Sequence, residues 1–195
     1  MTARQPLPAG QAGAEGRLTG TGDGMVDLKT KIREIPNFPK EGILFYDITT
    51  LLKEPDLFHR IIEKLAKLYE DEQIDKVVAI ESRGFILGAA LAYRLKAGFV
   101  PVRKGGKLPS DVYETEYNLE YGSSLLAIHR DAIASGERVV IVDDLLATGG
   151  TITATIDLVK QLAGVIVGVA FLIELTSLRG RNRLDGYQAI SLVSY

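Results

Sequence analysis

Two adjacent acids, Asp143 and Asp144, follow the apolar run 139–142, and after Leu145-Leu146 the chain reads Ala147-Thr148-Gly149-Gly150-Thr151. Paired carboxylates at the carboxyl end of a buried strand lie where open sheets bind ligands, and they suit vicinal hydroxyls or the shell of a Mg²⁺ ion. The small residues after them suit a phosphate. The N–H groups of a helix's first turn lack intrahelical acceptors, and the helix dipole adds partial positive charge there, so an anion is held by both. Gly149 and Gly150 let the backbone curl around that anion while Thr148 and Thr151 add hydroxyl donors, so the loop needs no lysine. This is not a Walker loop, since no Gly-Lys-Ser/Thr follows, nor a dinucleotide fingerprint, since Gly-x-Gly-x-x-Gly is missing. The plainer alternative is a strand-to-helix turn with an acidic cap, but a capping signal is much shorter than this run.

Cations stand elsewhere along the chain. Arg83 lies in the turn Glu81-Ser82-Arg83-Gly84 after a short apolar strand, and Arg103, Lys104 and Lys107 follow another. Such groups can hold an anion through charge-assisted hydrogen bonds of roughly 1.5–3 kcal/mol each where water is excluded. Lys104 and Lys107 taken singly read equally well as solvated loop charges, whereas Arg83 sits on a tight turn. Phe45 suits either stacking on a flat heterocycle or filling a core position on a short strand. Glu120, within Leu119-Glu120-Tyr121-Gly122, is by type either a proton carrier or a solvated loop acid. His59 and His129 read as ordinary helix and strand-end residues. The chain has no cysteine, which excludes a disulfide framework, a thiolate metal site and a cysteine nucleophile, and which suits a reducing compartment.

These groups need a framework, and from Met25 onward strand and helix patterns alternate, the mark of a sheet covered by helices. Apolar residues from Leu57 to Tyr69 recur at helical spacing after Pro55 and predict a helix over 55–70. Strands are predicted at 76–80, 99–103, 125–128, 138–142, 165–173 and 189–193, with further helices over 84–95 and 151–162. Residues 104–122, mixed in Gly, Pro, Tyr and charges, read as a long excursion and a candidate lid. Residues 1–24 are rich in Gly, Ala, Thr and Pro without periodicity, and read as a disordered tail before one domain over 25–195. They lack the apolar block of a secretory signal, and translation starting at Met25 is an alternative. The 195 residues, 46% of them hydrophobic and 25% charged, suit one folded domain with an adequate core. A net charge of −2 gives no global attraction to nucleic acid or anionic lipid. The most apolar stretch, 163–173, is shorter than the roughly 18–20 residues that span a bilayer.

Residues 138–151 resemble the donor-binding signature of the type I phosphoribosyltransferases. The likeness runs from about Lys31 to the end of the sequence, through Phe38-Pro39-Lys40-Glu41-Gly42-Ile43-Leu44-Phe45, Glu81-Ser82-Arg83-Gly84-Phe85, Val102-Arg103-Lys104, Lys107-Leu108-Pro109, Leu119-Glu120-Tyr121-Gly122 and Glu174-Leu175-Thr176-Ser177-Leu178. Taken together these motifs are similar to the branch of the family that acts on adenine. The resemblance implies an α/β fold, a mostly parallel twisted sheet flanked by helices, with a small hood and a flexible lid loop. It implies transfer of the phosphoribosyl group of 5-phosphoribosyl diphosphate (PRPP) to adenine, giving AMP in purine salvage. It also implies a Mg²⁺ requirement with the ion carried mainly by PRPP near Asp143 and Asp144 rather than in a purely protein-held site.

By the same resemblance, Asp143 and Asp144 take the ribose hydroxyls, Ala147, Thr148, Gly149, Gly150 and Thr151 take the phosphate, and Ser82, Arg83, Arg103, Lys104 and Lys107 surround the diphosphate. Phe45 stacks on the base, main-chain groups near Leu44 and Arg83 read its edge, Glu120 handles a proton, and Tyr121 closes with the lid. A homodimer in the cytoplasm is implied as well, with no nucleic-acid or membrane partner. Tyr46 departs from the pattern, because relatives often carry a basic residue there. A transferase for xanthine or guanine would share the donor site, and a PRPP-sensing regulator is the alternative of another class. The latter needs a DNA-reading module, which the tail with its two arginines, Arg4 and Arg17, does not supply.

Overall fold

The computed structural model describes residues 28–119 and 122–195. It begins with a 3-10 turn, Leu28–Lys31, and a hairpin of β1 (Arg33–Pro36) and β2 (Leu44–Asp47) that forms its own two-stranded sheet. Helices α1 (Thr49–Leu52) and α2 (Pro55–Lys67) follow. Pro55 opens α2, where a missing N–H leaves no hydrogen bond unmade, and the helix buries Leu57, Ile61, Ile62 and Leu65. Next come β3 (Lys76–Ile80), α3 (Gly84–Leu95), β4 (Gly98–Lys104), β5 (Val112–Leu119) and β6 (Gly122–His129). The chain ends in β7 (Arg138–Leu146), α4 (Gly150–Gln161), β8 (Val165–Glu174) and β9 (Ala189–Ser194), with the 3-10 turns Thr176–Leu178 and Gly180–Arg183 between the last two strands. The tail expected over 1–24 lies outside the described residues.

The large sheet has seven strands in the order β5-β6-β4-β3-β7-β8-β9. Strands β4, β3, β7, β8 and β9 are parallel, while β6 and β5 add an antiparallel edge. Both faces of the parallel strands are covered, which is why they read as continuous apolar runs. In β7, Val140 and Val142 join the core under α2 and α3, and Val139 and Ile141 join the core under α4. From β3 the chain passes to β4 on one side and later returns to β7 on the other. The carboxyl ends of β3 and β7 therefore flank a topological switch point, the crevice where open α/β sheets bind ligands.

Two elements differ from the sequence reading. Residues 112–119, expected within an irregular excursion, are a strand paired along its whole length with β6, from Val112 opposite His129 to Leu119 opposite Gly122. Tyr113 and Tyr117 pack against the α4-side core while Glu114 and Glu116 face water, a period-2 alternation that the interleaved charges obscured. Residues 105–111 are an irregular connection, while Glu120 and Tyr121 lie outside the described residues. Strand β7 also runs past the two acids to Leu146, so Asp143 and Asp144 sit within its last turn of pleat rather than beyond it.

Candidate active site

At the switch point the end of β3 leads through Glu81-Ser82 into Arg83, the residue before α3, with a cis peptide between Glu81 and Ser82. Arg83 Nε lies 2.8 Å from Asp144 Oδ2 on β7. That oxygen is buried and makes no hydrogen bond, so the contact is one of charge rather than of a directed N–H. Asp143 Oδ1 accepts the backbone N–H of Asp144 at 2.9 Å. A Cβ at Gly84 would stand 2.7 Å from Asp143 Oδ1 and 3.2 Å from the Val142 carbonyl, so only glycine lets α3 start this close to the acids. Burial, then the charge of Asp144, pushes the Asp143 carboxyl well above the usual range. Burial raises Asp144 as well, with Arg83 opposing it. Two carboxylates held this way favour a cationic or hydroxyl-bearing guest.

Past Leu146 the chain turns through Ala147 and Thr148 to Gly149, whose φ of 85° is left-handed and which caps α4. The Gly149 carbonyl accepts the Thr153 N–H at 3.1 Å and the Thr153 hydroxyl at 2.8 Å, which fixes the helix start. The N–H groups of the first turn then face away from any intrahelical acceptor. Thr148 is exposed and Thr151 half-buried at the rim. The geometry is that of an anion cradle.

The cations are arranged around Glu81. Arg103 Nε donates to Glu81 Oε2 at 2.8 Å and Arg103 Nη1 to the Lys107 carbonyl at 3.0 Å, while the Lys104 N–H reaches the same Glu81 oxygen at 3.3 Å. Arg103 is thereby held beside the turn that carries Ser82 and Arg83. The side chains of Lys104 and Lys107 are exposed and have no acidic partner among the described residues. On the hairpin side, the Arg83 guanidinium carbon lies 4.9 Å from the centroid of the Phe45 ring, whose edge contact with Phe38 is at 5.2 Å. Arg83 Nη1 reaches the Tyr46 carbonyl at 3.4 Å, and Leu44 is exposed at the same strand's start. Arg83 therefore joins the aromatic side of the crevice to its acidic side.

The phosphoribosyl transferase domain profile matches residues 47–190. The adenine phosphoribosyltransferase of Solibacter usitatus is 57% identical over 171 residues, covering 88% of this chain and 99% of that protein. The chain belongs to the adenine phosphoribosyltransferase family. The crystal structure of the Thermoanaerobacter pseudethanolicus adenine phosphoribosyltransferase superposes with a TM-score of 0.83 at 56% identity, covering 86% of this chain and 98% of that one. The Saccharomyces cerevisiae enzyme, solved in complex with adenine and an iminoalditol bisphosphate, gives 0.80 at 43% identity over 85% of this chain and 96% of that one.

In this phosphoribosyltransferase fold, residues distant in sequence complete the site. A Cβ on Gly180 would lie 2.1 Å from the Ala147 carbonyl and 2.9 Å from the Gly149 nitrogen, so Gly180 is the floor of the turn 147–149. Its segment is pinned by Arg181, which pairs with the buried Glu174 through Nε at 2.8 Å and through Nη2, while Ser191 donates to Glu174 at 2.8 Å. Burial alone would raise the Glu174 carboxyl, but the bond from Arg181 holds it below the usual range. The motif containing Glu174 is visible in the sequence, whereas Gly180 has no local signal, because its role depends on a contact more than 30 residues away in the chain.

Proposed function

We propose that this chain transfers the 5-phosphoribosyl group of PRPP to adenine, giving AMP and diphosphate. The observation that carries this reading is the meeting of Arg83 and Asp144 across the switch point, directly beside the glycine turn that opens α4. In the reaction a bond forms between adenine N9 and C1′ of the ribose, and the C1′–O bond to diphosphate breaks with its electron pair leaving on diphosphate. Positive charge grows on the sugar and negative charge on the departing group, so fixed charges aimed at both lower the barrier.

Residues 147–151 hold the 5-phosphate through backbone N–H groups and the hydroxyls of Thr148 and Thr151. Asp143 and Asp144 accept from the ribose hydroxyls and face the growing positive charge. Ser82, Arg83, Arg103, Lys104 and Lys107 receive the diphosphate, with Arg103 exchanging Glu81 for it. Phe45 stacks on adenine, and main-chain groups at Leu44 and Arg83 read its edge, so that an oxo-purine would leave donors and acceptors unpaired. Glu120 takes the N9 proton, and Tyr121 closes over the reactants.

Mg²⁺, bound with PRPP, supplies charge neutralisation on the diphosphate. The paired acids Asp143 and Asp144 at the end of β7 would face the ion from the protein side, with Arg83 already beside Asp144 Oδ2 at 2.8 Å. A homodimer is the assembly that best accounts for the outward apolar stripe Ile86, Tyr93 and Phe99. The absence of cysteine suits the reducing cytoplasm. No helix among the described residues is long and apolar enough to cross a membrane.

The test is a spectrophotometric assay of the purified chain with PRPP and Mg²⁺, offering adenine, hypoxanthine, guanine and xanthine separately. AMP formation from adenine alone is expected. Turnover of another base would overturn the base pocket while keeping the donor site, and PRPP binding without turnover would make the protein a sensor.

A further inference from the structure

We infer that Tyr195 is a positioning residue for the purine. Its ring, packed on Tyr46, holds the hairpin β1–β2 so that Phe45 faces the crevice. The hairpin pairs with no strand of the large sheet, and its outer loop is exposed, so its angle over the site has to be set by side-chain contacts. Phe45 and Tyr46 are neighbours on β2 and therefore point to opposite faces of it. Phe45 faces Arg83 and Phe38. Tyr46 faces inward, where its ring centroid lies 4.2 Å from that of Tyr195, the planes tilted by 41°. Whatever fixes Tyr46 thus fixes the ring on the other face.

Tyr195 is itself rigidly placed. Its N–H donates to the Glu174 carbonyl at 2.9 Å, and its carbonyl accepts the Thr176 N–H at 2.9 Å and the Thr176 hydroxyl at 2.5 Å. Glu174 is the same residue that anchors Arg181 next to Gly180 under the turn 147–149. Lys29, in the turn that leads into β1, places its Nζ 4.9 Å from the centroid of the Tyr195 ring, so the segment before the hairpin meets the same side chain as Tyr46 on β2. An aromatic pair of this kind adds attraction beyond that of its buried area.

The inference rests on the adenine reading above and deepens it. Tyr195→Ala, Tyr195→Phe and Tyr46→Leu are compared with the unaltered full-length chain for kcat, for KM of adenine and for KM of PRPP, with folding checked by thermal melting. Tyr195→Ala and Tyr46→Leu are each expected to raise the adenine KM about five-fold or more while the PRPP KM changes less than two-fold. Tyr195→Phe, which keeps the ring, is expected to stay within two-fold of the unaltered chain for both. Folded variants with an unchanged adenine KM, with equal rises in both KM values, or without rescue by Phe would overturn the assignment. Should Tyr195→Ala not fold, Tyr46→Leu decides alone by the same criteria. An unaltered chain that ignores adenine would sink the parent reading instead, so the two failures are distinguishable.

Discussion

Burial pushes the Asp143 and Asp144 carboxyls up, which at the scale of single residues is a cost to the fold. A carboxyl whose folded pKa is raised binds a proton that the unfolded chain has released. Between the ordinary carboxylate value and the raised one, such a group makes the protein less stable as pH rises, and above both values its destabilisation is complete. Asp143→Asn removes that charge, so at pH 7.5 the ligand-free variant is expected to be more stable than the unaltered chain by about 0.5–2 kcal/mol. The difference should shrink toward zero as pH falls to the ordinary carboxylate range, and urea midpoints at several pH values measure it. Turnover should fall at least ten-fold, since a charged acceptor for the ribose hydroxyls becomes a neutral one and the negative charge facing the sugar is lost. Glu120→Gln separates a different role: kcat is expected to drop at least ten-fold with the PRPP KM within two-fold, and unchanged turnover in steady-state assays would remove Glu120 from proton transfer.

The glycine turn between β7 and α4 is built by elements that the sequence keeps apart, and the turn Gly180–Arg183 supports it from below. Gly180→Ala puts a methyl group 2.1 Å from the Ala147 carbonyl, and backbone cannot yield as the end of a side chain does, so the whole turn has to shift. We expect the PRPP KM to rise ten-fold or more and the stability to fall by about 1–3 kcal/mol, read by initial rates and denaturant melts. An alanine variant with an unchanged PRPP KM would mean that the turn does not hold the phosphate. This contact also marks the limit of legibility. Asp143-Asp144 and Thr148-Gly149-Gly150-Thr151 are readable because strand, turn and helix cap are contiguous, and Arg83 because it follows a short buried strand at the switch point. Gly180, the Arg181–Glu174 pair and the Tyr46–Tyr195 stack arise only when β8 and β9 lie beside β7, and nothing local announces them. Strand β5 escaped for another reason: as an edge strand with one face in water, it carries Glu114 and Glu116 between its tyrosines, and edge charges resemble those of a loop.

The whole molecule has cores on both faces of the parallel strands, so the crevice at their carboxyl ends is set by rigid elements, and α3 links that crevice to the outside. The helix starts just after Arg83, and along it the exposed Ile86 and Tyr93 stand at a spacing of seven residues, with Tyr93 89% exposed, while Phe99 on the neighbouring strand is exposed as well. Phe99 is braced edge-on by Phe85, two residues from Arg83, with centroids 5.7 Å apart. A face of this kind left in water costs about 25 cal/mol per Å² of apolar area, and covering it with the same face of a second copy removes that cost symmetrically. Tyr93→Glu is the discriminating change, because the side chain is almost free of its own fold and the substitution should leave the subunit's secondary structure unchanged by circular dichroism. Two buried carboxylates facing each other across a two-fold axis should raise the dimer dissociation constant at least ten-fold, seen by sedimentation across a protein dilution series. An unaltered mass distribution would mean that subunits meet elsewhere. A monomer whose PRPP and adenine KM values stay unchanged would show instead that α3 transmits nothing from this face to Arg83.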